Sequence, residues 1–186
     1  MDIQIELPSL KYKDSFLKAV QEFQQLESHR SEDREYDEYP LNMTDNDFEN
    51  LVIRPKLDAI KGLGLPQGYV PCTEFWIIDN DGFSGRVSLR HFLSDYLKNQ
   101  GGHIGYAVCP SKRQKGYVKT AFRLVLKEAA KMGIRQVLMT CDEDNVGSKK
   151  TITGALKEFG GYEDVPYEAT GQMPILRYWI NTKQRD

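Results

Sequence analysis

The stretch Gly105-Tyr106-Ala107-Val108-Cys109-Pro110-Ser111-Lys112-Arg113-Gln114-Lys115-Gly116-Tyr117-Val118 decides the fold. An apolar run stops at Pro110, a polar loop follows, and helical spacing sets in near Gly116, with Val118, Ala121, Phe122, Val125, Ala129 and Met132 on one face. A helix start leaves backbone N–H groups unpaired and carries partial positive charge, so it suits an anion. Lys112, Arg113, Lys115 and Lys119 crowd this start with no acid among them. The helix dipole disfavours each such cation by a few tenths to ~1 kcal/mol. Two readings are open here: a bound diphosphate that compensates the cations, or a solvated basic turn. Walker-type and dinucleotide glycine patterns do not fit, because Gly101-Gly102-His103-Ile104-Gly105 has the wrong spacing and leads into a strand.

Working outward, Gly133 stops the helix, and Ile134 to Cys141 reads as a strand covered on both faces. A polar turn leads to a helix from about Gly147 to Phe159, ended by Gly160-Gly161, and a last strand covers Ile175 to Ile180. Upstream, Tyr69 to Asp79, Gly82 to Arg90 and His103 to Cys109 read as strands, the first two joined by the tight turn Asn80-Asp81-Gly82. Ile3, Ile5 and Leu7 alternate as in a half-buried strand. Asp14 or Ser15 is placed to cap a helix that carries Phe16, Val20, Phe23 and Leu26. Glu27 to Glu38 is dense in charge, with Tyr36 and Tyr39 nearby, and reads as a mobile loop. Thr44 opens a helical stretch with Phe48, Leu51 and Val52, which Pro55 kinks or restarts and Gly62 and Gly64 end. The order is α/β with an antiparallel front, a β-α-β crossover and a hairpin-like tail.

At 186 residues the chain is long enough for one domain, taken as 1–186, with a core of its own. Hydrophobic residues make up 40% and charged residues 28%, which excludes a disordered chain. Lys+Arg 25 against Asp+Glu 27 gives a net charge of -2, which argues against a nucleic-acid binder. No apolar run reaches the ~20 residues that span a bilayer, and the start lacks a signal-peptide pattern, so no membrane partner is expected. Cys72, Cys109 and Cys141, and His29, His91 and His103, are too scattered for a disulfide framework or a metal site. The expectation is a reducing, cytoplasmic setting with no metal and with inert buried thiols at Cys109 and Cys141.

With these residues in view, the chain resembles the GNAT superfamily of N-acetyltransferases. That family's [QR]-x-x-G-x-[GA] loop reads here Arg113-Gln114-Lys115-Gly116-Tyr117-Val118, with Val118 in place of a small residue. Gly85 to His91, Gly102 to Tyr106, and Leu138 to Asp142 through Asn145-x-x-Ser148 resemble a bacterial subgroup of predicted acetyltransferases. The resemblance is specific over 82–161 and weak before residue 69. It implies an α/β (α+β) fold: a mixed, mostly antiparallel central sheet flanked by helices, with a β-α-β acyl-CoA-binding core over about 69–161. It also implies acetyl-CoA as co-substrate and direct attack by a primary amine of a small molecule or peptide in a ternary complex.

Three chemical tasks follow from that resemblance. An alkylamine with pKa near 10.4 is about 3.4 units from neutral at pH 7, so a base or water relay must take its proton. Glu74, His103 and Glu143 are the candidates, each with a plain structural alternative. The oxyanion donor falls on the Val108 N–H, with Ala107 and Cys109 beside the pantetheine arm. The departing thiolate needs a proton, and the tyrosine the family often places on the following helix is Ile152 here, which leaves Ser148 as the nearest donor or water in its stead. Gln114, Lys115, Gly116, Tyr117 and Val118 join Arg113 in the cofactor loop. Asn145 either bonds the pantetheine arm or caps its helix, and Tyr106 reads as a packing or cofactor contact. The charged stretch with Tyr36 and Tyr39 is either a cradle for a cationic acceptor or a solvated loop. A non-catalytic acyl-CoA-binding or regulatory module is the alternative function. Homodimers are common among look-alikes, and the aromatic tail at Trp179 is either a contact surface or a sheet core.

Overall fold

Alternation of apolar side chains along Cys72–Asp79 (β2) and Gly82–Arg90 (β3) builds a sheet with two buried faces. Both strands pair antiparallel, with Gln4–Glu6 (β1) outside β2 and Ile104–Val108 (β4) outside β3. Trp76, Ile78, Phe83, Ala107 and Cys109 point to one face, against the helix Lys13–Gln24 (α1). Ile77, Val87, Leu89, Ile104 and Val108 point to the other, against the helix Tyr117–Lys131 (α6). This computed structural model describes residues 2–27, 31–171 and 173–183; His29 lies outside them.

Between α1 and β2 the chain forms a short helix Ser31–Arg34 (α2), a 3-10 turn Glu35–Glu38, then Asp45–Phe48 (α3) and Arg54–Ile60 (α4) joined by a π-helical turn. Thr44 caps α3 through a reciprocal pair with Asp47, and Pro55 sits in the first turn of α4, where its missing N–H costs nothing. Neither Asp14 nor Ser15 caps α1, because Tyr12 holds the cap position; Ser15 instead donates to the Tyr12 carbonyl. Of the segment expected as a mobile loop, residues 28–30 lie outside the described residues and 31–38 are structured. Tyr36 is buried and stacks on Phe23 with ring centroids 4.0 Å apart. A five-residue helix, Asp95–Asn99 (α5), follows β3.

Gln136–Asp142 (β5), Gly161–Tyr167 (β6) and Ile175–Asn181 (β7) form a second antiparallel sheet in the order β5-β7-β6. The helix Val146–Phe159 (α7) lies between β5 and β6 in sequence and packs on β5 and β7. The expected crossover β4-α6-β5 is present, but its two strands belong to different sheets. They meet at their starts, where His103 N–H donates to Leu138 O at 2.7 Å, and no ladder continues beyond that link. The fold is thus α+β, with antiparallel sheets flanked by helices. Among the described residues no helix is long and apolar enough to cross a membrane.

Candidate active site

Beyond the His103–Leu138 link, β4 and β5 part, and the hydrogen-bond parity of β4 decides what faces the gap. Arg90 N–H donates to His103 O and Cys109 N–H donates to Ser84 O. In an antiparallel ladder alternate residues exchange bonds with one neighbour, so Gly105, Ala107 and Cys109 bond β3, while His103 gives β3 its carbonyl and β5 its N–H. The amides of the even-numbered residues, Val108 among them, are turned to the β5 side. An antiparallel edge that ends in such a parting presents N–H groups to whatever enters it.

The loop after β4 is built by its dihedral angles. Pro110–Lys112 makes a 3-10 turn, Gln114 lies at φ 61°, and Gly116 lies at φ 84° as the N-cap of α6. Space around Gly116 is open, so the glycine is required by its backbone angle rather than by crowding. No side chain caps this helix start. Gln114, Lys115 and Gly116 are exposed, Tyr117 is buried and Val118 packs partly on the core.

The basic side chains are arranged differently from the expectation. Lys112 pairs with Asp79 at 2.8 Å and with Asp81 at 2.6 Å, and the Tyr117 hydroxyl donates to the same Asp79 carboxylate. Burial alone would raise the Asp79 pKa; the Lys112 and Tyr117 hydrogen bonds outweigh it and hold the carboxyl at about 2. Arg113 turns away from the helix start. Its Nε donates to Val108 O at 3.1 Å, its Nη2 pairs with Asp33 at 2.8 Å, and the guanidinium lies over the Phe23 ring. Lys115 donates to Ser111 O, and the Ser111 N–H donates to Glu22. Two of the four cations therefore have carboxylate partners, and the case for an anion rests on the amides of the uncapped α6 start, with Lys115 and Lys119 at the surface.

Across the gap, Asn145 caps α7, its Oδ1 accepting from Ser148 N–H at 3.1 Å. The Tyr106 hydroxyl donates to Ser148 Oγ at 2.8 Å, a bridge from β4 to α7 across 42 residues of sequence. Ile152 is buried in the core beneath. Ala107 and Cys109 are buried on the α1 face, so their side chains do not line the gap; what β4 offers there is backbone. Burial pushes the Cys109 thiol up to about 12 and the Cys141 thiol up to about 11, in keeping with inert thiols.

The base candidates sit as follows. His103 is buried, and its Nδ1 accepts from Leu138 N–H at 2.9 Å. The neutral ring must then carry its proton on Nε2, so no imidazole lone pair remains for an amine. Burial, with Arg90 adding to it, lowers its pKa to about 4. Glu74 is buried on the α1 side of the sheet, one oxygen accepting from Lys56 at 2.9 Å and the other from Trp76 Nε1 at 3.2 Å. Glu35 pairs with the same Lys56 and with Arg86. Burial opposes ionisation of Glu35, but the charges of Arg86 and Lys56 prevail and hold it below the usual carboxylate range. Glu143 is exposed past the end of β5. Neither His103 nor Glu74 stands ready as a direct base. Sequence reading missed both the Tyr106–Ser148 bridge and this ion-pair cluster, whose members are brought together only by the fold. Among the described residues no group of three or more His, Cys, Asp or Glu is placed to hold a metal ion.

A sheet parted beside a glycine-started helix, with a strand amide facing the parting, offers N–H donors both to an anion and to a carbonyl oxygen. The acetyltransferase (GNAT) domain family matches residues 19–154, and the chain belongs to that family of N-acetyltransferases. Solved structures agree on the fold. RimL, a ribosomal L7/L12 alpha-N-protein acetyltransferase in complex with coenzyme A, is 12% identical with TM-score 0.65, covering 99% of this chain and 96% of that one. The microcin C7 self-immunity acetyltransferase MccE, in complex with acetyl-CoA and AMP, is 16% identical with TM-score 0.66, covering 97% and 92%. A chimera of the spermidine N-acetyltransferase SpeG from Vibrio cholerae and hSSAT is 12% identical with TM-score 0.57, covering 98% and 96%. Among curated protein sequences there is no significant match.

Proposed function

We propose that this protein transfers the acetyl group of acetyl-CoA directly to a cationic primary amine of a small molecule or peptide. The observation that carries the reading is the Val108 amide, turned into the parting of β4 and β5 beside the uncapped start of α6. Backbone groups of 114–119 would hold the diphosphate, with Lys115 and Lys119 adding screened attraction. Acetyl-CoA supplies an activated thioester. The Val108 N–H faces the charge that develops on the carbonyl oxygen, a contribution of the kind worth 10²–10³ in rate. Asn145 fixes the start of α7, and Ser148 donates its proton to the leaving sulfur. Glu74 and His103 are committed elsewhere, so water, or the exposed Glu143 through water, takes the amine's proton.

On the α1 side, a cavity of about 640 Å³ is lined by Arg34, Glu35, Asp37, Glu38, Tyr39 and Leu51, three carboxylates against one guanidinium. Its acidic and aromatic lining suits a protonated amine or a neighbouring positive charge on the acceptor. The reading takes the chain as one cytoplasmic domain with its cofactor core over 69–161.

Calorimetric titration with acetyl-CoA, followed by thiol release over a panel of primary amines, tests the proposal. Wild type is expected to bind and turn over. Lys115→Glu with Lys119→Glu, both at the surface, is expected to weaken acetyl-CoA binding about tenfold or more, because two ammonium groups near the diphosphate become carboxylates. An unchanged dissociation constant in that variant would remove the helix start as the binding site.

A further inference from the structure

We infer that Tyr106 is a positioning residue for the leaving-group step, acting through Ser148; the inference rests on the acetyl-transfer reading above. Tyr106 lies in the middle of β4, and its ring meets Phe122 of α6 edge-on, with centroids 5.1 Å apart and planes at 89°. That packing aims the phenol across the parting, where it donates to Ser148 Oγ at 2.8 Å. A hydroxyl has one proton and two lone pairs. With one lone pair filled from Tyr106 and the Ser148 amide held by Asn145, the Ser148 proton is the part left to point into the gap. Thr151 and Thr153, farther along α7, spend their protons on the carbonyls of Gly147 and Lys149; Ser148 is turned to β4 instead. Tyr106 also precedes Val108 by two residues, about 6.7 Å along a strand. The donor pair and the oxyanion amide therefore start from one strand edge.

The chemistry gives the phenol a purpose. As the carbon–sulfur bond breaks, its electron pair goes to sulfur. The Ser148 hydroxyl proton moves to that sulfur, and the Tyr106 proton moves to Ser148 Oγ. The resulting phenolate recovers its proton from water. An aliphatic hydroxyl alone would be left as an alkoxide, whereas a phenol, with an ordinary pKa near 10, ends the relay on a far more stable anion.

Tyr106→Phe keeps the ring against Phe122 and removes only the hydroxyl. Thiol release with the amine panel is expected to fall about 10- to 100-fold in kcat, while the acetyl-CoA dissociation constant stays within about twofold. Ser148→Ala should lose at least as much, and the double variant no more than Ser148→Ala alone, because the two groups act as one unit. An acetyl thioester of an aryl thiol, a far better leaving group, should recover most of the loss. In the complex with coenzyme A, the bound thiol's apparent pKa, read from ultraviolet thiolate absorbance, should rise in both single variants. A Tyr106→Phe protein with wild-type kcat and an unmoved thiol pKa would overturn the inference, as would losses that multiply in the double variant. Ser148→Ala tests the same pair should Tyr106→Phe not fold. Wild-type protein that binds no acetyl-CoA, or binds it and releases no thiol with any amine, would instead defeat the acetyl-transfer reading, and this inference with it.

Discussion

His103 shows how one side chain can be singled out for chemistry and prove to be mortar. Its Nδ1 accepts the Leu138 amide while its own N–H donates to the Leu138 carbonyl, so it pins the two sheets where they touch. Because its folded pKa, about 4, lies below the ordinary 6.5, the unfolded chain binds the proton more readily. The stability it contributes is complete above pH 6.5 and is lost as pH falls toward 4. Urea unfolding at stepped pH is expected to show that loss, and His103→Gln to flatten it; an unchanged slope in the variant would exclude this assignment. The sequence marked His103 by its place before the strand, but its partner lies 35 residues away, and only the fold joins them. The same holds for Tyr106 and Ser148: both were legible as residues of interest, and their bond was not. Lys112 and Arg113 went astray for a related reason. Their clustering suggested an uncompensated charge, whereas Asp79, Asp81 and Asp33 approach from β2, its turn and α2.

At the scale of elements, the segment from α2 through the 3-10 turn is the clearest departure. Charge density argued for a solvated loop, since Glu32, Asp33, Glu35, Asp37 and Glu38 leave little apolar surface. What orders it is Tyr36, wedged against Phe23 and Phe16, together with ion pairs reaching Lys56, Arg86 and Arg113. Tyr36→Ala is expected to destabilise the protein by about 3–5 kcal/mol in urea unfolding, as for a large aromatic removed from a filled core. A loss under about 1 kcal/mol would show the segment to be peripheral after all. By contrast α6, with its sustained apolar face from Ala121 to Ala129, was legible almost residue for residue, and so was the capped start of α3 at Thr44. The strand β6 was not. Glu163, Asp164 and Pro166 break its alternation, and its pairing with β7 shifts register between Asp164 and Tyr167, as an edge strand permits.

For the molecule as a whole, the sequence conveyed most of the order of strands and helices, and the turn that joins β4 to α6. It could not convey that β4 and β5 belong to separate sheets, because nothing local to Ile104–Val108 or Gln136–Asp142 encodes the absence of a ladder between them. A ligand that touches both halves should hold them together. Thermal unfolding with acetyl-CoA at a hundredfold excess over its dissociation constant is therefore expected to gain about 2.7 kcal/mol, a rise in midpoint of roughly 5–10 °C for a chain of this size. A midpoint that ignores acetyl-CoA would mean that the native state does not bind it. Arg113 adds a mechanical consequence. One guanidinium is bolted to the Val108 carbonyl at one end and to Asp33 at the other, with Arg34 and Glu35, the next two residues in the chain, in the wall of the acidic cavity. A shift of the turn after β4 would be passed to that wall, so acyl donor and amine, if held as proposed, would share a single lever.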